Sequence, residues 1–505
     1  MTVVVAISAY LVLLVAIGLL STRYFRGSTA DYFVASRSIG PFVLFMSIFG
    51  TTMTAFALVG STAEAYEMGV GTFGKLASWS GLVHSACFFL IGLPLWSLGR
   101  RHGYMTQIEF FRARFESRSI GYVLFPVLVG LLVPYLLIGL MGAGSVLSGV
   151  TARAFPETFP STNGAIPPAL TAAVISAVVL CYIFTGGVRS AAWANTFQTL
   201  VFMGMGLLAF LLIAGEIGGL SAASWTSDPA KAIREGNMGE LQFFTYRLIP
   251  LSVAMFPHLF QNFLTARSAR AFKLLLFAHP ICILLTWLPC ILIGFWATGA
   301  LVPGTGTPVV PDGANPNAVL GLMVGELTSP LVAGLVAAGV LAAIMSSLDS
   351  QFIAVGTMFT RDIVVHHFGH DYFSDAALVW LARGFVVLVV IVAYLLTLAE
   401  PREIFALGIW CFSGYASLFP LVFAALYWRR VTKAGAFASV LVTGAVWFGL
   451  FAASDYGADR KFLLGGMMPV TAMFAACAIT LVVVSLLTRP PAEETLGRFF
   501  PDKMA

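Results

Sequence analysis

Charge is scarce in this chain of 505 residues. Asp, Glu, Lys and Arg make up 10% of it, against 59% hydrophobic residues. No polar run is long enough for a separate soluble domain, and the longest lie near 99–118, 216–240 and 301–328. Length alone would suggest several soluble domains; this composition points to a single membrane domain. Cysteine is sparse as well. The six cysteines all fall in apolar stretches and none forms a CxxC pair, which excludes a disulfide framework or thiolate metal site and leaves small core residues. No basic stripe with interleaved aromatics is present, so the net charge of +5 is not a nucleic-acid signature. Also missing are GxSxG, HExxH, P-loop and paired-carboxylate motifs, which argues against an enzyme.

What the chain has is apolar length. Thirteen stretches, near 3–21, 40–60, 74–98, 120–150, 167–185, 190–214, 242–265, 273–300, 329–357, 376–398, 403–428, 434–453 and 466–487, approach or exceed the roughly 20 residues that cross a bilayer as a helix. The first has no charged leader region, so it reads as a retained span and not a cleaved signal peptide. If the loop after it faces the cytoplasm, 19 Lys and Arg residues gather on that side and 6 on the other, with Lys75, Arg247 and Arg383 inside spans. The positive-inside rule then places the N-terminus outside and the C-terminus in the cytoplasm of a bacterial inner membrane.

Two spans carry interruptions. The second contains Gly50-Thr51-Thr52-Met53-Thr54 and then Gly60. The seventh contains Pro250 and Pro257 around Ser252, His258 and Gln261. If spans two to six and seven to eleven are two copies of one five-helix unit, these are corresponding places, and a binding site is expected between the repeats. The alternative is that Gly and Pro are merely common in membrane helices.

The ninth span holds Ala343-Ile344-Met345-Ser346-Ser347-Leu348-Asp349-Ser350. Ser346, Ser347, Asp349 and Ser350 are spaced i,i+3 or i,i+4 and share much of one helix face. A small hard cation needs several oxygen ligands, and polar groups at this depth point to function. Backbonding of the serines to their own helix is the alternative, weakened by the neighbouring Asp349.

Four stretches together carry a resemblance to the sodium:solute symporter family over nearly the whole chain. They are Asp31-Tyr32-Phe33-Val34-Ala35-Ser36-Arg37-Ser38, the Gly186-Gly187 pair running through Trp193 to Gln198, Phe256-Pro257-His258, and Ala343 to Ser347 followed by Phe359-Thr360-Arg361-Asp362-Ile363. The resemblance implies an all-α polytopic membrane protein with a five-plus-five inverted-repeat core of the amino-acid/sodium transporter type. One helix (3–21) would precede the first repeat (40–214) and second repeat (242–428), and two (434–487) would follow. It also implies alternating access driven by Na+, held by backbone carbonyls at Gly50, Met53 and Ala343 and hydroxyls at Ser346 and Ser347.

One departure stands out. Asn195 occupies a position that is usually Asp in the family signature, while Asp349 appears where small neutral residues are frequent. Asn195, Asp349 and Ser350 are therefore candidates for a second cation or proton site. The alternative pairs Asp349 with Arg361 or Arg383.

Solute candidates are Thr52, Thr54, Phe56, Ala57, Phe256, His258, Gln261, Trp410 and Ser413, with His84 and His258 equally readable as packed core residues. No acid stands among them, which favours a monocarboxylate or other organic acid, or an amino acid, over a sugar. Glu64 and Glu67 read as an outer vestibule. His366, His367, His370 and Asp371 have a conceivable metal spacing but no further ligand group, and read as a solvated loop. The expected function is sodium-driven import of a small organic solute. A proton-coupled carrier or a solute-sensing membrane protein is the alternative, and the tail from Thr488 is too short for a fused kinase.

Overall fold

The computed structural model describes residues 1–21, 29–369, 372–399 and 403–500. Arg23, Arg26, Arg402 and Lys503 of the charge count, and His370 and Asp371 of the loop cluster, lie outside the described residues. Helices dominate, and pairing between extended segments is limited to isolated bridges such as Ile39 with Ala266 among the described residues.

The main helices are α1 (Thr2–Ser21), α2 (Pro41–Thr52), α3 (Phe56–Met68), α4 (Gly71–His102), α5 (Ile120–Val150), α6 (Pro168–Glu216), α7 (Pro257–Thr265), α8 (Ala271–Trp296), α9 (Pro330–Phe368), α10 (Asp375–Leu398), α11 (Ile404–Tyr427), α12 (Lys433–Ala453) and α13 (Val470–Leu487). Nine helices among the described residues are long and apolar enough to span a membrane, ten if α2 and α3 form one bent span. The length test thus does not reach the thirteen spans read from the sequence. The fifth and sixth predicted spans merge into α6, and the seventh divides into a 3-10 segment (Tyr246–Ala254) and α7.

Burial sorts the helices. The most apolar windows of α9 and α11 are each 83% buried, whereas those of α12 and α13 are 22% and 28% buried. α9 is therefore a central post and the trailing pair an outer layer. Small residues put α9 there: Gly334 lies against Val3 and Ala6 of α1, and Gly339 against Phe202 and Met205 of α6.

The breaks follow from local chemistry. α2 ends at Thr52, and α3 leaves at 58° to it. Thr54 starts the new helix by accepting the Phe56 amide on its side chain at 3.1 Å and the Ala57 amide on its carbonyl at 2.9 Å. In the second half, Phe256 is extended and Pro257 opens α7. Proline forces that outcome, since it disfavours helical backbone before it and is pre-set for a helix start. α6 turns at Gly187, whose φ of 60° and ψ of −153° suit only glycine, and whose missing side chain admits the Tyr32 backbone.

The two ends of the bundle are tied differently. At one end Arg37 donates to the Tyr104 carbonyl at 2.8 Å, Arg100 to the Arg267 carbonyl at 2.9 Å, and Arg430 to the Thr488 carbonyl at 2.7 Å. There Arg112 pairs with Asp362 at 3.1 Å and Arg361 with Glu109 at 2.9 Å. Arg114 donates to the Ala425 and Trp428 carbonyls. Burial pulls its pKa down to about 10, which still leaves it charged at neutral pH. At the other end Arg460 pairs with Glu67 and Glu403, and Lys231 donates to the Glu67 carbonyl.

Glu64 is corrected by the structure. It lies within α3, not beyond a helix end, and pairs with Lys75 of α4. Lys75 is buried and sits over the Phe405 and Tyr246 rings, 4.8 and 5.5 Å from their centroids. Lys75→Met strands a carboxylate in a mostly apolar setting, so it should cost about 3–5 kcal/mol, while Lys75→Met with Glu64→Leu should recover most of that. Thermal unfolding in detergent checks this; equal losses in the single and double variants would show that the pair contributes nothing as a pair.

Candidate functional site

Two polar features meet at the helix breaks. The first lies where α2, α6 and α9 converge. Thr51 of α2 and Ser350 of α9 share a hydrogen bond of 2.9 Å. Asn195 of α6 sits against both, with its amide oriented so that the carbonyl accepts from Ser350 at 3.1 Å. Its nitrogen then donates to Gln198 at 3.1 Å, to the Ala191 carbonyl at 3.2 Å and to the Ser346 carbonyl at 3.3 Å. Thr199 donates to the Met46 carbonyl at 3.0 Å. All these side chains are buried, so each polar atom needs a protein partner or a ligand.

Gly50 is what allows this convergence. A Cβ there would strike the Thr199 hydroxyl and come within 2.8 Å of the Ser346 hydroxyl. Gly50 and Ser346 are thus brought together. Met53 leaves α2 with φ −90° and ψ 88°, which turns its carbonyl off the helical ladder. Ser347, one residue on from Ser346, points about 100° around the helix. It accepts from Gln351 at 2.9 Å, a partner that the sequence reading did not include. Ala343 is fully buried on the same helix.

Asp349 is also fully buried, on the side of α9 that faces Tyr10 of α1 and Gln198 of α6. The two basic partners weighed for it are engaged elsewhere. Arg361 binds Glu109, and Arg383 donates to the Phe184 carbonyl and lies over Trp380.

The second feature is a small, tight central cavity, with about 40 Å³ open to the centre of a water-sized sphere. Thr52, Thr54 and Phe56 line it from the first break, and Ile249, Pro250, Ser252, Val253 and Phe256 from the second. Ser80 and His84 of α4, Tyr135 of α5, Tyr246, Trp287 of α8 and Phe412 of α11 complete the wall. No acidic or permanently charged side chain is among them. Aromatic contacts fix its shape: Phe56 stacks on Phe405 at 4.9 Å, and Phe412 meets the edges of Phe56 and Tyr135, each at 4.9 Å.

Of the solute candidates, Thr52, Thr54, Phe56 and Phe256 are on this wall, as is His84. Ala57, His258, Gln261, Trp410 and Ser413 are not. His258 lies one layer back, stacked on Phe256 with centroids 5.2 Å apart, and neither of its ring nitrogens has a partner among the described residues. Gln261 donates to the Phe33 carbonyl and to Thr357 at 2.9 Å, which bridges α7 to α9. Trp410 faces the trailing helices, against Phe451 and Phe462, and its carbonyl accepts from Trp447 at 3.0 Å. Trp287 was missed because only the fold brings α8 to the breaks, and Tyr135 and Tyr246 because direction around their own segments is set by packing.

A profile of the sodium:solute symporter family matches residues 32–443. The sodium/proline symporter of Escherichia coli is 25% identical, over 98% of this chain and 95% of its own length. The sodium/pantothenate symporter of the same organism is 26% identical, over 88% and 89%. Among solved structures, a Na+-coupled sialic acid symporter superposes with a TM-score of 0.73 at 18% identity, covering 97% of this chain and 98% of that one. A nucleobase-cation-symport-1 family transporter gives 0.57 at 14% identity, covering 92% and 97%. These two likenesses concern the fold alone, and with the nearly all-helical architecture they give the chain an all-α fold of this type.

Asn195 ties α6 to α9 through one amide, and Ser350 carries the link on to Thr51 of α2. Asn195→Ala should therefore lower stability by about 1–3 kcal/mol, as expected when buried hydroxyls lose a charge-neutral partner. The check is thermal unfolding against Thr196→Ala, where the hydroxyl only bonds back to the Ala192 carbonyl; an equal, small loss in both variants would contradict the linking role.

Proposed function

The chain belongs to the sodium:solute symporter family, and we propose that its cargo is a small carboxylate, an organic acid or amino acid, carried inward with sodium. The function is sodium-driven secondary transport of a small organic solute across a membrane, and not catalysis. One observation carries the cargo class: the cavity at the two breaks is lined by hydroxyls, imidazole, indole and aromatic rings, with no carboxylate to meet an amine or bind a sugar. Proline, pantothenate and sialic acid, named for three similar proteins, all bear a carboxylate.

The proposed sodium site comprises the carbonyls of Gly50, Met53 and Ala343 and the hydroxyls of Ser346 and Ser347. Support comes from the meeting of Gly50 with Ser346 and from the non-helical turn at Met53. Sodium there would neutralise part of a bound anion's charge and hold α2 against α9, which couples the ion to the broken helix. The matching breaks support reading 40–214 and 242–428 as the two repeats. We place the arginine-rich end, with Arg100, Arg112, Arg114, Arg361 and Arg430, in the cytoplasm. The N-terminus is then outside, and the end closed by Arg460 with Glu67 and Glu403 is extracellular.

Burial of Asp349 favours a second reading of the coupling, in which Asn195, Asp349 and Ser350 serve a second cation or a proton. The experiments separate the two. Sodium, and not potassium, should raise the unfolding temperature of the purified protein, by an amount equivalent to about 2.7 kcal/mol at a hundred times the dissociation constant. Ser346→Ala with Ser347→Ala should abolish that rise. Retention of the full sodium effect in the double variant would remove this site. For Asp349→Asn, uptake measured against sodium concentration and pH should change in steepness if Asp349 couples an ion; unchanged dependence on both would remove the second reading.

A further inference from the structure

His84 and His279 stand 195 residues apart in sequence and meet inside the bundle, with His84 Nδ1 and His279 Nε2 3.1 Å apart. Both rings are buried, and His84 lines the cavity while His279 does not. His279 is boxed by the Phe49 and Phe88 rings, at 5.5 and 4.9 Å, which both meet it edge to face. Its Nδ1 has no hydrogen-bond partner among the described residues.

We propose that the α4–α8 wall of the cavity is the anion-recognition surface, where His84 Nε2–H and Trp287 Nε1–H donate to the carboxylate of the transported solute and His279 is a positioning residue. The inference rests on the carboxylate reading above and adds the atoms that recognise the group.

Proton counting sets the donor. Two neutral imidazoles share one N–H in their link. The ring that accepts must carry the other N–H on its outer nitrogen. If His84 donated, the outer N–H would fall on His279 Nδ1, a buried atom with no acceptor. If His279 donates, the outer N–H falls on His84 Nε2, at the opposite edge of a ring that borders the cavity. Orphaned buried N–H groups are rarer than orphaned acceptors, so the second arrangement is favoured. His84 then meets the cavity as a donor.

Trp287 supplies the independent observation. It is 4% exposed, lines the same cavity, and its Nε1–H has no acceptor among the described residues. Indole nitrogen is a donor only. His84 and Trp287 thus each bring an N–H to the residues that line a cavity with no carboxylate of its own, and that of Trp287 is buried without an acceptor among the described residues. A solute that brings two acceptor oxygens satisfies both; an amine or a polyol hydroxyl does not match as well. Thr52, Thr54, Ser80 and Ser252 act as donor or acceptor and fit the remainder of the solute.

The test uses proteoliposomes with an inward sodium gradient and radiolabelled L-proline, pantothenate and pyruvate. Each is competed by its unlabelled carboxylate and by its carboxamide. The wild type should take up at least one and prefer carboxylate over carboxamide. His84→Phe and Trp287→Phe should each raise KM about 10- to 100-fold, the range for a hydrogen bond to a charged group, and collapse that preference. His84→Gln, which keeps an N–H, should recover part of both. His279→Phe should weaken the preference less than His84→Phe, since it removes only the orienting bond. Sodium-dependent stabilisation should persist throughout, which separates these effects from misfolding; if His84→Phe does not fold, His84→Gln and Trp287→Phe carry the test. Uptake by the wild type with KM and preference unchanged in both His84→Phe and Trp287→Phe would overturn the wall assignment and leave the cargo class standing. Absence of wild-type uptake of all three carboxylates, with sodium stabilisation present, would overturn the cargo class and this inference with it.

Discussion

Every backbone amide and carbonyl in a lipid-facing segment must be satisfied within the protein, and this constraint organises the molecule. Helix is the default answer to it. Among the described residues, two departures beside the cavity stand out, at Met53–Thr54 and at Met255–Phe256, and both are buried behind other helices. A broken helix facing lipid would leave several polar groups unpaired at a few kcal/mol each. The central post α9, the heavily buried α11 and the aromatic layer of Phe56, Phe405 and Phe412 are therefore what permit the breaks to exist. The breaks, in turn, provide the polar atoms that a mobile ion and a small solute need.

The polar cluster of Thr51, Asn195, Ser346 and Ser350 shows the same logic at closer range. Three helices bring their side chains into a dry interior, where one amide ties α6 to α9 and a hydroxyl pair ties α9 to α2. An Asp at position 195 would demand a cation; an Asn does not, because its nitrogen already donates to the two carbonyls and to Gln198. Asp349 lies one turn on from Ser346 and towards Tyr10 of α1. A helix outside the repeat-like core, α1, thereby reaches into the core's electrostatics through Tyr10.

Much of the fold was legible in the residues. Apolar length gave the helices, and Pro257 and the Gly50–Thr54 run marked the breaks because each acts through local backbone chemistry. Ser346 stood out because Asp349 beside it weakens the backbonding alternative, and the structure sets it against Gly50. What could not be read was direction around a helix. Gln261 and Trp410 lie on the right elements but turn towards Phe33 and Trp447, and nothing local encodes those neighbours. Lys75 with Glu64, and His84 with His279, were invisible as pairs because each depends on two helices being packed side by side. Glu64 was taken for a vestibule residue because the helix was expected to end before it, whereas α3 continues to Met68.

The asymmetry of the two ends bears on how such a bundle can move. At the arginine-rich end, guanidiniums bind backbone carbonyls and paired acids across many elements, and Arg114 is buried among the Phe115, Phe499 and Phe500 rings. Breaking these contacts means desolvated charge losing several partners at once, which is costly. At the other end Arg460, 43% exposed in its side chain, links Glu67 to Glu403. Exposed pairs contribute little and are readily exchanged for water. Glu67 lies in the last turn of α3, while Glu403 precedes α11, so this link joins the two helices that carry Phe56, Phe405 and Phe412. The link that is cheap to open thus sits at the far end of the helix that starts at the first break, and under the proposed function a solute entering past it would reach the polar wall of α4 and α8.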